Sequence, residues 1–197
     1  MEKIFCLPQH RAPVLHKDAV TISFENCYKI GKTYKEIIGL DNIHHFSLNV
    51  VDPNGEMTIL SYNPQIAYNI FKDGSYLYNG SISPTFYENR EIYTWDEAYD
   101  PKKYHMLKNN MERKNGIKEG VVLTKRINNL ILLYSFATKL NGDDFLSEIN
   151  ARKNHFYSAG DFCFEQIQSI IDDRIFSNCQ IKDKYKSPQK SNIIRLK

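Results

Sequence analysis

Six histidines and four cysteines are the first candidates for chemistry in this chain. The histidines are His10, His16, His44, His45, His105 and His155, and no two have the H-x-x-x-H spacing that turns two imidazoles to one side of a helix. His44 and His45 are neighbours on an extended segment, so they point to opposite faces. Cys6, Cys27, Cys163 and Cys179 lie far apart with no C-x-x-C pair, whereas a structural zinc site needs Cys or His pairs two to four residues apart. We therefore expect no metal and no other cofactor. There is no G-x-x-x-x-G-K-[ST] or G-x-G-x-x-G stretch. Gly116-Ile117-Lys118-Glu119-Gly120 runs from a helix into a strand, the reverse of the strand-to-helix order of phosphate loops. No G-x-S-x-G elbow is present. Two Cys–His combinations remain, Cys163 with His155 and Cys27 with His45. Cys163 falls within a helical apolar pattern, the setting of an inert buried thiol. The paired acids Asp143-Asp144 and Asp172-Asp173 diverge by about 100° on a helix, which suits an N-cap region and a solvated face better than shared acid–base work. A non-enzymatic role is the expectation, with a Cys/His-dependent enzyme as a distant alternative.

The aromatic residues are more informative. Tyr62, Tyr68, Phe71, Tyr76, Tyr78, Phe86, Tyr87, Tyr93, Trp95 and Tyr99 crowd into one turn-rich stretch, and Trp95 is the only tryptophan. Apolar walls with a few hydroxyls describe a small-molecule pocket. They equally describe a minor core under a long loop, and the pattern alone leaves both open.

The elements that must position these rings follow from periodicity. Residues 18–30 predict a helix with Val20, Phe24, Cys27 and Tyr28 on one stripe, ended by Gly31, and a short helix over Thr33–Gly39 follows. Ile43–Val51 alternates, with Phe46, Leu48 and Val50 on one face and His45, Ser47 and Asn49 on the other. Asp52-Pro53-Asn54-Gly55 is a turn string, and Glu56–Tyr62 is the returning strand. Asn63-Pro64 opens an aromatic helix. Glu91–Trp95 is a short strand, and Asp100 caps a helix closed by Gly116. Gly120–Lys125 and Leu130–Thr138 are strands. The latter is apolar on both faces, Leu130, Leu132, Tyr134 and Phe136 against Ile131, Leu133, Ser135 and Ala137, so it needs cover on both. Asp143–Lys153 and Ser158–Phe176 are helices. The fold class is α/β: a PAS/GAF-like α-β-α sandwich with a five-stranded, mainly antiparallel sheet and helices on both faces. Residues 1–17 are expected as an N-terminal arm, 18–177 as the domain and 178–197 as a basic linker.

Composition agrees with this plan. A chain of 197 residues, 42% hydrophobic and 25% charged, supports one globular domain rather than wholesale disorder. No run of about 18 apolar residues is present, so no membrane span is expected. No secretory signal is read at the N-terminus, which makes the cytoplasm and four reduced thiols the expectation. The formal charge is +3, but six lysines and arginines against one aspartate lie between Cys179 and Lys197, which leaves the body slightly acidic. Such a body is a poor nucleic-acid surface. Its one basic cluster, Lys102, Lys103, Lys108, Arg113, Lys114 and Lys118, is expected as a solvated helix face.

The order of elements and a set of short motifs resemble the signal-binding domain of LuxR-type transcription regulators. Asn63-Pro64-Gln65-Ile66-Ala67-Tyr68-Asn69-Ile70-Phe71 is similar to the family's Y-P-x-x-W-x-x-x-Y helix, and Tyr76 matches the aromatic after it. Ile92-Tyr93-Thr94-Trp95 resembles the F-x-W segment at the family's spacing from Pro64. Gly116–Val121 resembles the G-L-x-x-G segment, and Ser191–Leu196 the linker before the DNA-binding helix-turn-helix. The resemblance covers about residues 20–197. It implies quorum-sensing signal recognition, a homodimer, and DNA contact only through a helix-turn-helix that this chain does not contain. The implied chain is the sensor half of a longer regulator. The departures fall at the polar pocket positions. The tryptophan that bonds the lactone carbonyl falls at Ala67, the lactone-side tyrosine at Asn63, and the aspartate that accepts the ligand amide at Gly80, before Ser81; Phe71 replaces the second tyrosine. Each lost buried partner costs about 1–3 kcal/mol. The expected ligand is therefore a small, partly apolar molecule other than a standard acyl-homoserine lactone, lined by Trp95, Phe71, Tyr76, Tyr78 and Tyr68 with a hydroxyl from Tyr134 or Ser135. The alternative within the same fold is a ligand-free scaffold for dimerisation or for titrating another regulator.

Overall fold

The computed structural model describes residues 11–72, 74–141 and 144–174. The predicted 43–62 hairpin forms as β2 (His45–Val51) and β3 (Glu56–Ser61), preceded by a two-residue strand β1 (Val14–Leu15). Asp52 makes the turn: its Oδ1 accepts the N–H groups of Asn54 and Glu56, both at 2.8 Å. The second pair of long strands is β5 (Glu119–Ile127) and β6 (Leu130–Thr138), and β4 (Ile92–Thr94) lies at its edge. The sheet runs β1-β3-β2-β6-β5-β4. Only the β1–β3 pair is parallel, and all others are antiparallel. The sheet thus has six strands rather than five, because Val14–Leu15, expected in the N-terminal arm, pairs with β3. The predicted tail and the last three residues of the expected domain, 175–177, lie outside the described residues.

Helices cover both faces, as the doubly apolar β6 demands. On one face α1 (Ala19–Glu25), α2 (Cys27–Tyr34), α7 (Asp144–Ala151) and α8 (Lys153–Arg174) pack over Phe46, Leu48, Leu132, Tyr134 and Phe136. On the other, α3 (Pro64–Lys72), two 3-10 turns (75–78 and 80–82), α4 (Pro84–Tyr87), α5 (Trp95–Ala98) and α6 (Tyr104–Asn115) cover Met57, Ile59, Val122, Leu133 and Ala137.

Several local expectations are corrected. The 18–30 helix breaks at Asn26, whose side chain turns back to the Ile22 carbonyl, and Gly31 lies inside α2. The stripe Val20, Phe24 and Tyr28 faces outward, Tyr28 being 83% exposed, while Ile22 and Ile30 are the buried pair. Each of the two short helices turns its own side to the sheet, so one continuous stripe is not kept. Trp95 begins a helix instead of ending a strand. Thr94-Trp95-Asp96-Glu97 forms a capping box, with the Thr94 side chain on the Glu97 N–H and the Glu97 carboxylate on the Thr94 N–H. Asp100 accepts the N–H of Lys102 and closes a turn, after which α6 starts at Tyr104. Gly116 ends α6 in the left-handed conformation, φ 67°. The final two helices divide at Arg152 rather than between 153 and 158.

α8 is fixed to the sheet by side chains along its first half, Tyr157 donating its hydroxyl to the Thr124 carbonyl of β5. Asp161 accepts the Tyr134 hydroxyl at 2.7 Å and pairs with Lys125 at 2.6 Å. Next to it Gly160 sits against the Tyr134 ring, where a Cβ would lie 2.3 Å from Cδ2. Tyr134 is completely buried, so the ring has no outward path. Gly160→Ala should therefore lower unfolding stability by about 1–3 kcal/mol, measured by urea denaturation. Where the α7–α8 corner meets the loop before β2, Asp41 receives Arg152 and His155. Partial burial raises the Asp41 pKa, but the hydrogen bonds from Arg152 and His155 outweigh it and hold the carboxyl below its ordinary value. A depressed folded pKa contributes stability above the unfolded value of about 3.9, and that contribution disappears as pH falls through the folded value. Asp41→Asn, a residue that tolerates the local φ of 46°, should thus cost a modest part of the stability at pH 7, and the difference from the parent should shrink progressively as pH falls below about 3.9, in urea denaturation at each pH.

Candidate functional site

The polar face of β2 is not wet. His45, Ser47 and Asn49 are all buried beneath α3, the 3-10 turns and α6. Register then gathers polar side chains from three strands. Ser61 of β3 stands opposite Ser47 of β2, which stands opposite Ser135 of β6, so three hydroxyls cross the sheet in one row. The next row holds Ile59, Asn49 and Leu133. Above this floor Ile66, Ala67 and Phe71 of α3, Ile82, and Met111 of α6 supply an apolar roof. Asn79 and Ser81 stand at its side, the Asn79 oxygen accepting both the N–H and the hydroxyl of Ser81. Floor and roof bound a partly open cavity of about 50 Å³.

Trp95 closes one end. Its indole N–H donates to the Ser135 hydroxyl at 3.0 Å. The ring lies flat on β5 because Gly120 has no side chain there; a Cβ at that position would stand 2.1 Å from the indole Cδ2. Tyr93, next to it on β4, donates its hydroxyl to the Ser81 carbonyl at 2.9 Å and so fixes the 3-10 turn that borders the cavity.

Electrostatically the space is neutral. No carboxylate, lysine or arginine lines it among the described residues. Burial, with Lys139 adding repulsion, lowers the His45 pKa to about 4, so the imidazole is uncharged at neutral pH. Its Nε2 lies 3.5 Å from the Ser61 hydroxyl. The side-chain oxygen of Asn49 has no hydrogen-bond partner although the residue is only 3% exposed. A buried polar atom left alone costs about 1–3 kcal/mol.

The sequence-derived candidates separate clearly. Trp95, Phe71 and Ser135 line the cavity. Tyr76 stands behind Phe71, its ring edge-on at 5.7 Å. Tyr68 lies on the outer side of α3 against Phe24, and Tyr78 is on the surface under the Lys103 ammonium. Tyr134 is on the opposite face of the sheet, bonded to Asp161, because successive strand residues alternate and Ser135 takes the cavity side. Reasoning from sequence missed His45, Ser47, Asn49, Ser61, Asn79 and Ser81. Their signal was the polar half of the 43–51 alternation, which equally describes a solvated face. Ala67 and Ser81, where the resemblance puts an indole and a neighbour of its carboxylate, both border the cavity. The Cys–His combinations are not assembled for catalysis. Cys163 is fully buried, burial raises its thiol pKa to about 12, and Cys27 is exposed on another element. Of the basic cluster, Lys108 pairs with Asp96 and Glu112. No group of three metal-ligating side chains stands together, and no helix is long and apolar enough to cross a membrane, among the described residues.

No sequence-family profile matches the chain, and no curated protein does. Solved structures do match by fold. The N-acylhomoserine lactone dependent LuxR family transcription factor CepR2 from Burkholderia cenocepacia aligns over 78% of this chain and 99% of its own, with a TM-score of 0.51 at 10% identity. Escherichia coli SdiA aligns over 75% of this chain with a TM-score of 0.50 at 16% identity, and this chain spans 62% of the SdiA chain. The α-β-α fold expected from the resemblance to LuxR-type signal-binding domains is the fold observed.

Three substitutions test the geometry around Trp95. Gly120→Ala should drive the only indole off β5 and shift its fluorescence to longer wavelength. Ser135→Ala should leave the indole N–H without its acceptor and lower stability by about 1–3 kcal/mol, whereas Tyr134→Phe should leave the fluorescence unchanged.

Proposed function

We propose that this chain is the small-molecule sensing domain of a LuxR-like transcription regulator and that its ligand is not a standard acyl-homoserine lactone. One observation carries the reading: a partly open cavity beside Trp95 in which a row of serine hydroxyls faces an apolar roof. The fold shared with CepR2, a lactone-dependent transcription factor, supports the sensing role. The absence of an indole at Ala67 and of a carboxylate at Gly80 argues against the lactone itself.

The domain works by completion. Ligand fills the space between floor and roof, joins α3 and α6 to the sheet and stabilises the fold by RT ln(1 + [L]/Kd). It acts as a homodimer in the cytoplasm without catalysing a reaction, and it reaches DNA only through a helix-turn-helix outside this chain. Residues 178–197 serve as a basic linker to that unit.

The second reading, a ligand-free scaffold for dimerisation or regulator titration, is favoured by the small size of the cavity. Thermal unfolding separates the two. A true ligand at a hundred times its Kd adds about 2.7 kcal/mol, which for a domain of this size raises Tm by roughly 5–11 °C. A library of small neutral metabolites should contain such a compound, and N-octanoyl homoserine lactone at saturation should give no shift. No shift from any compound would establish the scaffold, and a large shift from the lactone would refute the ligand assignment.

A further inference from the structure

A second concave surface lies at the sheet edge, where the loop after α4 meets β4 and β5. It is an open cleft of about 400 Å³ and shares no lining residue with the cavity beside Trp95. Unlike that cavity it is lined by charge. Arg90 comes from the loop after α4 and Arg126 from β5.

Tyr87 distinguishes this cleft from a plain surface groove. The residue is only 3% exposed, it lines the cleft, and its hydroxyl has no hydrogen-bond partner among the described residues. The side chains whose polar atoms are both unpartnered and shut off from solvent are Ser23, Asn49, Thr58 and Thr124, and Tyr87 is not among them. Its hydroxyl is therefore reachable, and the cleft is where it is reached. Burial, with Glu88 adding repulsion, pushes the phenol up to about 12, so it keeps its proton at neutral pH and can donate. A buried tyrosine hydroxyl normally finds a partner. Here the chain supplies none.

The surrounding charges define the missing partner. Glu88 lies 3.9 Å from Arg11, and Glu91 pairs with Lys153 at 2.7 Å, so both lining carboxylates have cations of their own. Arg90 stands 3.6 Å from Glu97, with its guanidinium over the Phe86 ring. Arg126 has no carboxylate among the described residues; its Nη2 donates to the Glu88 carbonyl at 3.1 Å. A guanidinium carries five N–H groups in a planar fork, so the rest of the fork is open to a ligand. Its charge acts on the Tyr87 phenol, which puts the two donors in one neighbourhood. Arg11, Arg90, Arg126 and Lys153 together face Glu88, Glu91 and Glu97, and one positive charge is left over. A planar group with one negative charge and two acceptor oxygens completes this set.

We propose that the cleft binds a small organic acid by its carboxylate, held by the Arg126 guanidinium and the Tyr87 hydroxyl.

Acetate is the probe, titrated into the 15N-labelled chain at an ionic strength held constant with sodium chloride. The backbone amides of 87–91, the arginine Nε–H groups and the Trp95 indole N–H are followed by NMR. Acetate should shift the amides and the Arg126 signal saturably and leave the indole in place. Acetamide, of the same size but uncharged, should bind about ten times more weakly or worse, the loss expected when a charged acceptor is replaced by a neutral one. Inorganic phosphate, whose additional charge has no counterpart here, should also bind more weakly than acetate. Tyr87→Phe should weaken acetate binding by about tenfold without lowering the melting temperature, because the hydroxyl it removes has no partner in the free protein. Arg126→Gln, at an exposed position, should abolish the response of the amides. An unsaturable shift, equal binding of acetamide, tighter binding of phosphate, full affinity in either variant, or a response of the indole in place of Arg126 would each overturn the assignment. The sensing role is decided by thermal unfolding and is untouched by any of these results.

Discussion

The hydrogen bond from the Trp95 indole to Ser135 holds roof and floor of the cavity in one geometry. The bond exists only because Gly120 lets the ring lie directly on β5. The Thr94–Glu97 capping box starts a helix at Trp95, so the aromatic leaves the sheet edge and lies back over it. Those three features are local, yet together they set the end wall against which any guest must rest. A buried indole N–H needs a partner, and the serine that supplies it is one of the three that cross the sheet.

The two faces of the sheet follow opposite packing logic. Toward α8 the rings of Phe46, Tyr134, Phe136 and Phe156 meet edge-on or tilted, and the Tyr134 and Tyr34 hydroxyls donate to Asp161 and to the Leu60 carbonyl. That face provides the stable platform. Toward α3 the same strands present serines, an asparagine and a histidine to an apolar roof. A half-satisfied polar layer is less stable than an apolar one. Natural proteins depart from local packing rules mainly at functional sites; the buried oxygen of Asn49 is one such departure, and Ser23, Thr58 and Thr124 carry others away from the cavity.

The fold and the site were legible to different degrees. The 43–62 hairpin, the doubly apolar β6 and the layers of helix on both faces came from periodicity within single segments, and such patterns are formed by neighbours in sequence. The failures also have local reasons. The Val20, Phe24 and Tyr28 stripe looked like a core face because one continuous helix was assumed, whereas the break at Asn26 rotates the two halves independently. The aromatic stretch suggested a pocket walled by tyrosines. Tyr68 and Tyr78 instead lie on outer surfaces, since amphipathic rings are as well placed at a rim as in a core.

The order of elements, the turn at Asp52–Gly55, the end of α6 at Gly116 and the neutrality of the site residues are properties of the sequence itself, because each depends on residues within a few positions of one another or on side-chain type. Tertiary structure decided that the polar half of β2 would be buried as well as the apolar half, since that depends on α3 and α6 arriving from elsewhere in the chain. It also decided that Ser61, Ser47 and Ser135 would share a row, because register is set between strands and not within them. The unpartnered oxygen of Asn49 exists only as a consequence of those two long-range choices.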